Sequence, residues 1–393
     1  MSTPPDEPLD VLVPRESNPM VNEDNKLKLA LFCANVARGT SISTAETLPK
    51  GQWKEVKRLA QAADKAGMDG FIPLGRWKAN SRTQRPEDDR WMEVITMAAA
   101  VAAVTERIAV FSTVHMPIIH PVIMAAQVAT IDHVAGGRFA LNVTAGFNQA
   151  EMDMFGLKLL PHDERYAYAA EWMELVKKIW TSEDIFDWEG KYFHGKTIIN
   201  KPLPLQRPYP VIMSAGSSGA GRDFAAQHAD LNFVHLPSWE GMAEAVSSAK
   251  DDAVRKFGKH PGILAGGYIV CADTEKEALR RYRYVTREKM DVETAKIFTK
   301  DFNSESQSAL VWRRMNAPIA WRPASTPCPS WALPSRSWSA WWRCRRPGSR
   351  ASRCRSTITT RESRPTTRRS ARCSSRRGSG AIERNPTMRA IAP

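Results

Sequence analysis

The sequence predicts an α/β protein built as a (β/α)8 barrel whose eighth βα unit is lost from the reading frame. Three observations carry this. Short apolar runs alternate with longer segments of helical spacing from about residue 27 to 320. Seven strand–helix units follow one another there, a count that suits a closed barrel better than an open doubly wound sheet. The last 73 residues then change composition abruptly.

Leu27–Cys33 (LKLALFC) is the first predicted strand, followed by helical spacing over Trp53–Ala66. Gly70–Pro73 is a short second strand, and Trp91–Val104 an Ala-rich helix. Ile108–Thr113 (IAVFST) is the third strand, and Pro121–Ala135 a helix opened by proline, whose fixed φ and missing N–H suit a first turn. Phe139–Thr144 (FALNVT) follows Gly136-Gly137 as the fourth strand, and Glu164–Trp180 is an amphipathic helix. Val211–Ser214 and Leu231–His235 are the fifth and sixth strands, with helices over Gly219–His228 and Trp239–Phe257. Ile263–Val270 is the seventh strand, and Thr274 is placed to cap the helix after it.

A chain of 393 residues exceeds the ~100–200 of an ordinary domain but suits a barrel of ~250 or more. No run reaches the ~18 apolar residues of a membrane-spanning helix. Residues 1–26 carry Pro, Asp, Glu and Asn without an apolar stretch, which predicts a disordered N-terminal segment, no signal peptide and a cytoplasmic location.

The net charge of +14 would suggest nucleic acid or an anionic surface. Residues 321–393, however, hold 17 Arg, no Lys and two acids, whereas residues 1–320 hold 39 basic and 40 acidic side chains. The body is neutral. The cysteines divide similarly: Cys33 and Cys271 lie in the body, and Cys328, Cys344, Cys354 and Cys373 in the tail. There is no CxxC pair, HExxH or HxH spacing, so neither a structural zinc site nor a catalytic metal is expected.

The tail lacks Val, Phe, Tyr, Lys, Gln, His and Asp. Two readings compete: a natural Arg/Ser tail that binds RNA, and a GC-rich gene read out of frame. A shift of two bases, with codons chosen to suit the written residues, permits GTPEQVVERLV over Trp331–Trp342, then ALSEAGIEGVALSFDDYH, and EGIATYDEKIRPLLIEAG over residues 361–378. These read as a helix start, an amphipathic helix, an apolar strand and a final helix. A natural tail has no reason to encode them, so a frameshift is placed near Ala320–Trp321. The barrel domain then spans residues 27–320, and 321–393 is an out-of-frame Arg/Ser/Pro-rich tail that says nothing about binding.

Barrel chemistry sits at the C-terminal ends of the strands. Asn142 lies within the fourth strand towards its C-terminal end, and Glu151 lies nine residues on, beyond Gly146; they contact a polar ligand or only tie down their own loop. Arg165 and Tyr166, in HDERY, suit an anion and a ring, or Arg165 pairs with Asp163 or Glu164 on a solvated face. AGSSGAG over Ala215–Gly221 offers small residues, free N–H groups and the hydroxyls of Ser217 and Ser218 to a phosphate, or is a mere tight turn. It lacks a P-loop lysine and is not a GxGxxG fingerprint, so no tightly held dinucleotide is indicated. His115 and His120 follow the third strand and His235 ends the sixth, where each is an acid–base candidate or a scaffold residue. Cys33 reads as a buried structural thiol. Arg76, Trp77 and Lys78 either meet the ligand or cover the rim.

With these segments in place, the sequence resembles the bacterial luciferase-like flavin monooxygenases, most of all the pyrimidine, dimethyl sulfone and alkanesulfonate monooxygenase group. The resemblance runs from about Leu27 to Ala320 and resumes in the hidden frame. It is carried by AAVTERIAVFSTV, ATIDHVAGGRFALNVTAGFNQAEMDMFG, HDERYAYAAEWMELVKKIW and VIMSAGSSGAGRDFAAQHADLNFV. It implies a two-component system, in which a separate NAD(P)H:flavin reductase supplies reduced FMN. The barrel then uses a C4a-(hydro)peroxyflavin to oxygenate a small sulfonate, sulfone or N-heterocycle. It implies flavin contacts on Asn142, Glu151, Arg165, Tyr166 and Ser218, with Ser217 added by the phosphate argument. A further contact falls near Gly75–Arg76, where this chain departs from the family pattern. His115 and His235 are the catalytic candidates, and a homo-oligomer is expected. An F420-dependent oxidoreductase of the same fold is the alternative within the family, and an RNA-binding protein the alternative outside it.

Overall fold

The computed structural model describes residues 11–39, 41–78, 90–146, 148–216, 218–234 and 241–295. The tail, the frameshift point and the eighth unit lie outside the described residues, as do His235 and Ser217.

Seven parallel strands form one sheet: β2 (Ala30–Phe32), β3 (Gly70–Ile72), β4 (Ala109–His115), β5 (Phe139–Thr144), β9 (Val211–Ser214), β10 (Leu231–Val234) and β11 (Gly262–Ala265). They lie side by side in chain order, with β2 and β11 at the two edges. The sheet curls: the ring of Phe32 on β2 stands 5.3 Å from that of Phe233 on β10, five strands away. Sequential parallel order with curling is the architecture of a (β/α)8 barrel, seven of whose strands are present among the described residues.

The helices follow the predicted alternation. They are α1 (Trp53–Lys65), α2 (Val94–Ala102), α3 (Pro121–Val134), α4 (Gln149–Met152), α5 (His162–Thr181), α6 (Gly219–His228), α7 (Met242–Phe257) and α8 (Glu275–Arg283). α2 starts three residues later than its apolar pattern because Glu93 caps it, its carboxylate accepting from the amides of Ile95 and Thr96. Thr274 caps α8 as expected, accepting from the Glu277 amide.

Alternation within the strands sorts the core into two layers. Val110, Val114, Leu141, Val143 and Ile212 face outward and join the cluster that holds Trp172, Val176 and Trp180 of α5. Both indoles are buried, with N–H groups bonded to the carbonyls of Ile119 and Ala125. Phe111, Ala140, Val211, Met213 and Leu231 face inward with Ile72 and Met20. The inward row of β4 continues two residues at a time through Thr113 to His115, and that of β5 through Asn142.

Two expectations are corrected, and one element is added. Residues 11–26 are folded, not disordered. β1 (Val13–Pro14) pairs with β8 (Gln206–Arg207), Asn18 donates to the Phe139 carbonyl, and Met20 joins the inner core. The segment plugs the barrel floor, so two buried residues outweigh its polar composition. The seventh strand stops at Ala265 instead of Val270, because Gly266-Gly267 interrupt it on an edge with one hydrogen-bonded neighbour. Tyr268, Ile269 and Val270 are left exposed. A hairpin of β6 (Phe186–Glu189) and β7 (His194–Ile198) was not foreseen. It is pinned by Glu171 of α5, whose carboxylate accepts from the amides of Lys191, Tyr192 and Phe193.

Candidate active site

Two groups of polar side chains gather beyond the C-terminal strand ends. The first is built on β4 and β5. His115 ends β4 and is 3% exposed. Glu151 follows on α4 and is fully buried. Arg76, beyond β3, donates to Glu151 Oε1 at 3.3 Å, while Glu151 Oε2 lies 3.7 Å from His115 Nε2. Asn142 Nδ2 donates to Thr113 Oγ1 at 3.1 Å on the neighbouring strand. Burial, reinforced by the Arg76 guanidinium, pushes the His115 imidazole down to about 4, so it is neutral at pH 7.

This group is incompletely satisfied. His115 Nδ1, Asn142 Oδ1 and Glu151 Oε2 are buried without a hydrogen-bond partner. Buried polar groups are normally paired, and leaving one unmade costs about 1–3 kcal/mol. Three such atoms near one strand end make this the candidate place for a polar ligand.

The second group lies at the starts of α5 and α6. Ser218 caps α6, its Oγ accepting from the Gly221 amide at 3.1 Å. His162 Nε2 lies 3.0 Å from the same oxygen, and the rings of His162 and Tyr166 meet edge-on at 5.3 Å. Arg165 donates to the Gly146 carbonyl at 2.7 Å, and its Nε is buried and unpartnered. Asp163 is taken by His162, and Glu164 faces Lys191, so Arg165 does not spend itself on its own helix. Free amides, a hydroxyl and a guanidinium there suit an anion. The glycines have a second use: a Cβ on Gly216 would stand 2.4 Å from the Gly221 carbonyl oxygen, and one on Gly221 would stand 2.5 Å from the Tyr166 hydroxyl. They let the loop close against α6 and Tyr166.

The remaining candidates separate. His120 caps α3, accepting from the Val122 amide, with its ring edge-on to Phe193, so it is scaffold. Cys33 is buried with φ of 62°, and burial pushes its thiol up, which fits a structural role. Trp77 packs edge-on against Phe155 at 5.1 Å, and Lys78 is exposed at the rim. Thr113 and His162 had not been singled out; Thr113 was legible as the inward position preceding His115. Among the described residues, no cluster of metal-ligating side chains occurs, and no helix is long and apolar enough to cross a membrane.

A family profile described as luciferase-like monooxygenase matches residues 27–318. The chain belongs to that family. It is therefore an enzyme, a flavin-dependent monooxygenase. The chain is 32% identical over 252 residues to an FMNH2-dependent dimethylsulfone monooxygenase of Pseudomonas putida, covering 64% of this chain and 68% of that one. It is 30% identical over 290 residues to pyrimidine monooxygenase RutA of a Bradyrhizobium strain, covering 72% and 78%. A solved riboflavin lyase, RcaE, with modified FMN and riboflavin, superposes with a TM-score of 0.63 at 25% identity over 72% of each chain. The match to the family begins at the first barrel strand and ends just before the composition changes.

The buried histidines of this luciferase-like monooxygenase give its stability a pH dependence. His115 is pushed down to about 4 by burial and by Arg76, and His228 to about 4 by burial and by Lys177 and Lys259. Both take a proton near pH 6.5 in the unfolded chain, which therefore binds more protons between those values. Stability is expected to fall as the pH drops from about 6.5 to 4, by up to about 1.4 kcal/mol per pH unit for each histidine. Urea midpoints at pH 4.5 and 7 check this. The same fall in a His115→Asn, His228→Asn variant would assign it elsewhere.

Proposed function

We propose that this enzyme is the oxygenase of a two-component system, using reduced FMN supplied by a separate NAD(P)H:flavin reductase to oxygenate a small organic substrate with O2. The observation that supports it best is the match between the two polar groups and the two ends of FMN. The unpartnered atoms of His115, Asn142 and Glu151 suit the polar edge of a ring system. Ser218, Arg165 and the start of α6 suit a phosphate. The residues present thus fit the cofactor.

When bound, reduced FMN supplies the activation of O2. The chain's own residues do the rest. Ser218 and Arg165 hold the phosphate, Tyr166 lies against the same loop, and Asn142 and Glu151 orient the ring. Arg76 neutralises the buried Glu151 carboxylate, which would otherwise be costly to desolvate. His115 is held neutral at the barrel mouth, where its unpartnered Nδ1 is left to hydrogen-bond a ligand; its low basicity weighs against the general-base role expected from its position. Substrates of the sulfone, sulfonate and N-heterocycle classes suit this reading, and a homo-oligomer is its assembled state.

The test is reconstitution. In whichever form purifies as a monodisperse protein, written or frame-corrected, the enzyme is expected not to oxidise NADH or NADPH alone. Substrate-dependent O2 uptake is expected once a flavin reductase and FMN are added, across a panel of sulfones, sulfonates and N-heterocycles. NADH turnover by the single purified chain would contradict the two-component reading. Activity with F420 and none with FMN would contradict the choice of cofactor.

A further inference from the structure

Three side chains at the starts of α5 and α6 form a continuous line. Asp163 Oδ1 lies 2.9 Å from His162 Nδ1, and His162 Nε2 lies 3.0 Å from Ser218 Oγ. Ser218 Oγ also accepts from the Gly221 amide at 3.1 Å. The Tyr166 hydroxyl stands over the same spot: a Cβ on Gly221 would be 2.5 Å from it and 3.0 Å from Ser218 Oγ. Asp163 and the Tyr166 ring thus face His162 from α5, and Ser218 faces it from α6. Of the neighbouring charges, Glu164 turns to Lys191 and Arg165 to the Gly146 carbonyl.

Chemistry fixes which way the protons run. A carboxylate only accepts, so His162 Nδ1 carries a proton. In the neutral ring Nε2 is then bare, and it takes the single proton of the Ser218 hydroxyl. Ser218 is left to offer a ligand only a lone pair, which repels an anion. In the imidazolium, Nε2 carries a proton as well and donates to Ser218 Oγ. Together with the Gly221 N–H, that fills both lone pairs of the hydroxyl. The hydroxyl proton is then free for a ligand acceptor. One state of the line opposes an anion, and the other offers it a donor backed by a positive charge.

We infer that His162 is a further phosphate-binding residue, acting as the imidazolium through Ser218, so that binding FMN takes up a proton. This rests on the flavin reading above, which puts the phosphate at the start of α6. Linkage gives the sign. A phosphate that favours the protonated ring is itself favoured by protonation. FMN therefore binds more weakly as the pH rises through the range, about 5 to 8, in which imidazoles titrate. The second ionisation of the phosphate, near about pH 6, acts the opposite way, because the dianion is the better ligand.

Dissociation constants of oxidised FMN and of riboflavin, measured by equilibrium dialysis at about pH 6.5 and 8.5, test this without turnover. The FMN constant is expected to rise about tenfold between them, roughly the effect of one charge-assisted hydrogen bond. Riboflavin has no phosphate, and its constant is expected to stay within about threefold. Titration calorimetry between those pH values, in two buffers of different ionisation enthalpy, is expected to show net proton uptake with FMN and none with riboflavin. His162→Gln keeps a side-chain N–H for Ser218 but does not titrate. It is expected to bind FMN with a flat pH profile and no proton uptake. If that variant fails to fold, the comparison of FMN with riboflavin on the unsubstituted enzyme decides by itself. An FMN constant that stays flat or falls with pH, or the same proton uptake in His162→Gln, overturns the role of His162. FMN that still binds more tightly than riboflavin would then leave the anion site in place. Equal constants for FMN and riboflavin at both pH values would remove the phosphate from α6, and the role of His162 falls with that reading.

Discussion

Restoring the reading frame near the codons for Ala320–Trp321 is expected to convert an aggregating, inactive chain into a soluble monooxygenase. The expectation rests on the two sheet edges. Among the described residues β2 and β11 each pair on one side only. Apolar side chains stand open there: Phe32 is 36% exposed, and Ile269, beyond β11, is 84% exposed. The interior strand β4 is closed by contrast, with all seven of its residues buried. A closing strand pairs with both edges at once and covers that surface. The written tail has no Val, Phe or Tyr with which to build one, whereas the shifted frame permits GVALSF followed by a helix. Exposed parallel edges invite aggregation. A barrel without its eighth unit is expected to lose far more than the roughly 5–15 kcal/mol by which a domain is stable. Sequencing the gene and comparing both forms by size-exclusion chromatography checks this. A tail encoded as written, on a monodisperse and active chain, would sink both the frameshift and the account of barrel closure. Salt-sensitive RNA binding by that chain would favour the natural-tail reading instead.

Removing the anion contacts is expected to produce the second-largest effect. Ser218 presents a hydroxyl at the start of α6, and Arg165 a buried guanidinium nitrogen with no partner. Hydrogen bonds to charged groups contribute about 1.5–3 kcal/mol each, so Ser218→Ala with Arg165→Met should weaken reduced FMN about 100-fold or more. Riboflavin, which lacks the phosphate, should bind the double variant and the unsubstituted enzyme alike. That control matters because Arg165 also holds the Gly146 carbonyl. Equal losses for FMN and riboflavin would mean the loop had moved. An FMN affinity within about threefold of the original would take both residues out of the site.

Much of this was legible in the sequence because its signals are local. Strand β5 and helix α6 fall on the predicted residues, since FALNVT is bounded by a glycine pair and Ser218 caps a helical run. The strand-end rule and the small-residue loop point to His115, Asn142, Glu151, Arg165 and Ser218 from the sequence alone. The hairpin of β6 and β7 went unseen because its anchor is a single carboxylate on α5, 20 to 22 positions earlier. The floor plug went unseen for the same reason: Asn18 reaches Phe139 across 121 positions, and a polar segment carries no periodicity that would announce two buried residues.

The sequence by itself determined the alternation of strands and helices, the strand ends at which polar residues collect, and the family, because period and capping are properties of neighbouring residues. Only the tertiary structure decided which polar residues meet. Arg76 reaches Glu151 across 75 positions and Asn142 reaches Thr113 across 29, and these pairings fix which atoms are satisfied and which remain for a ligand. A hydrogen bond has a direction as well as a partner. The direction at Asn142 follows from a proton that Thr113 has already given to Pro73, which only the packing of three adjacent strands supplies.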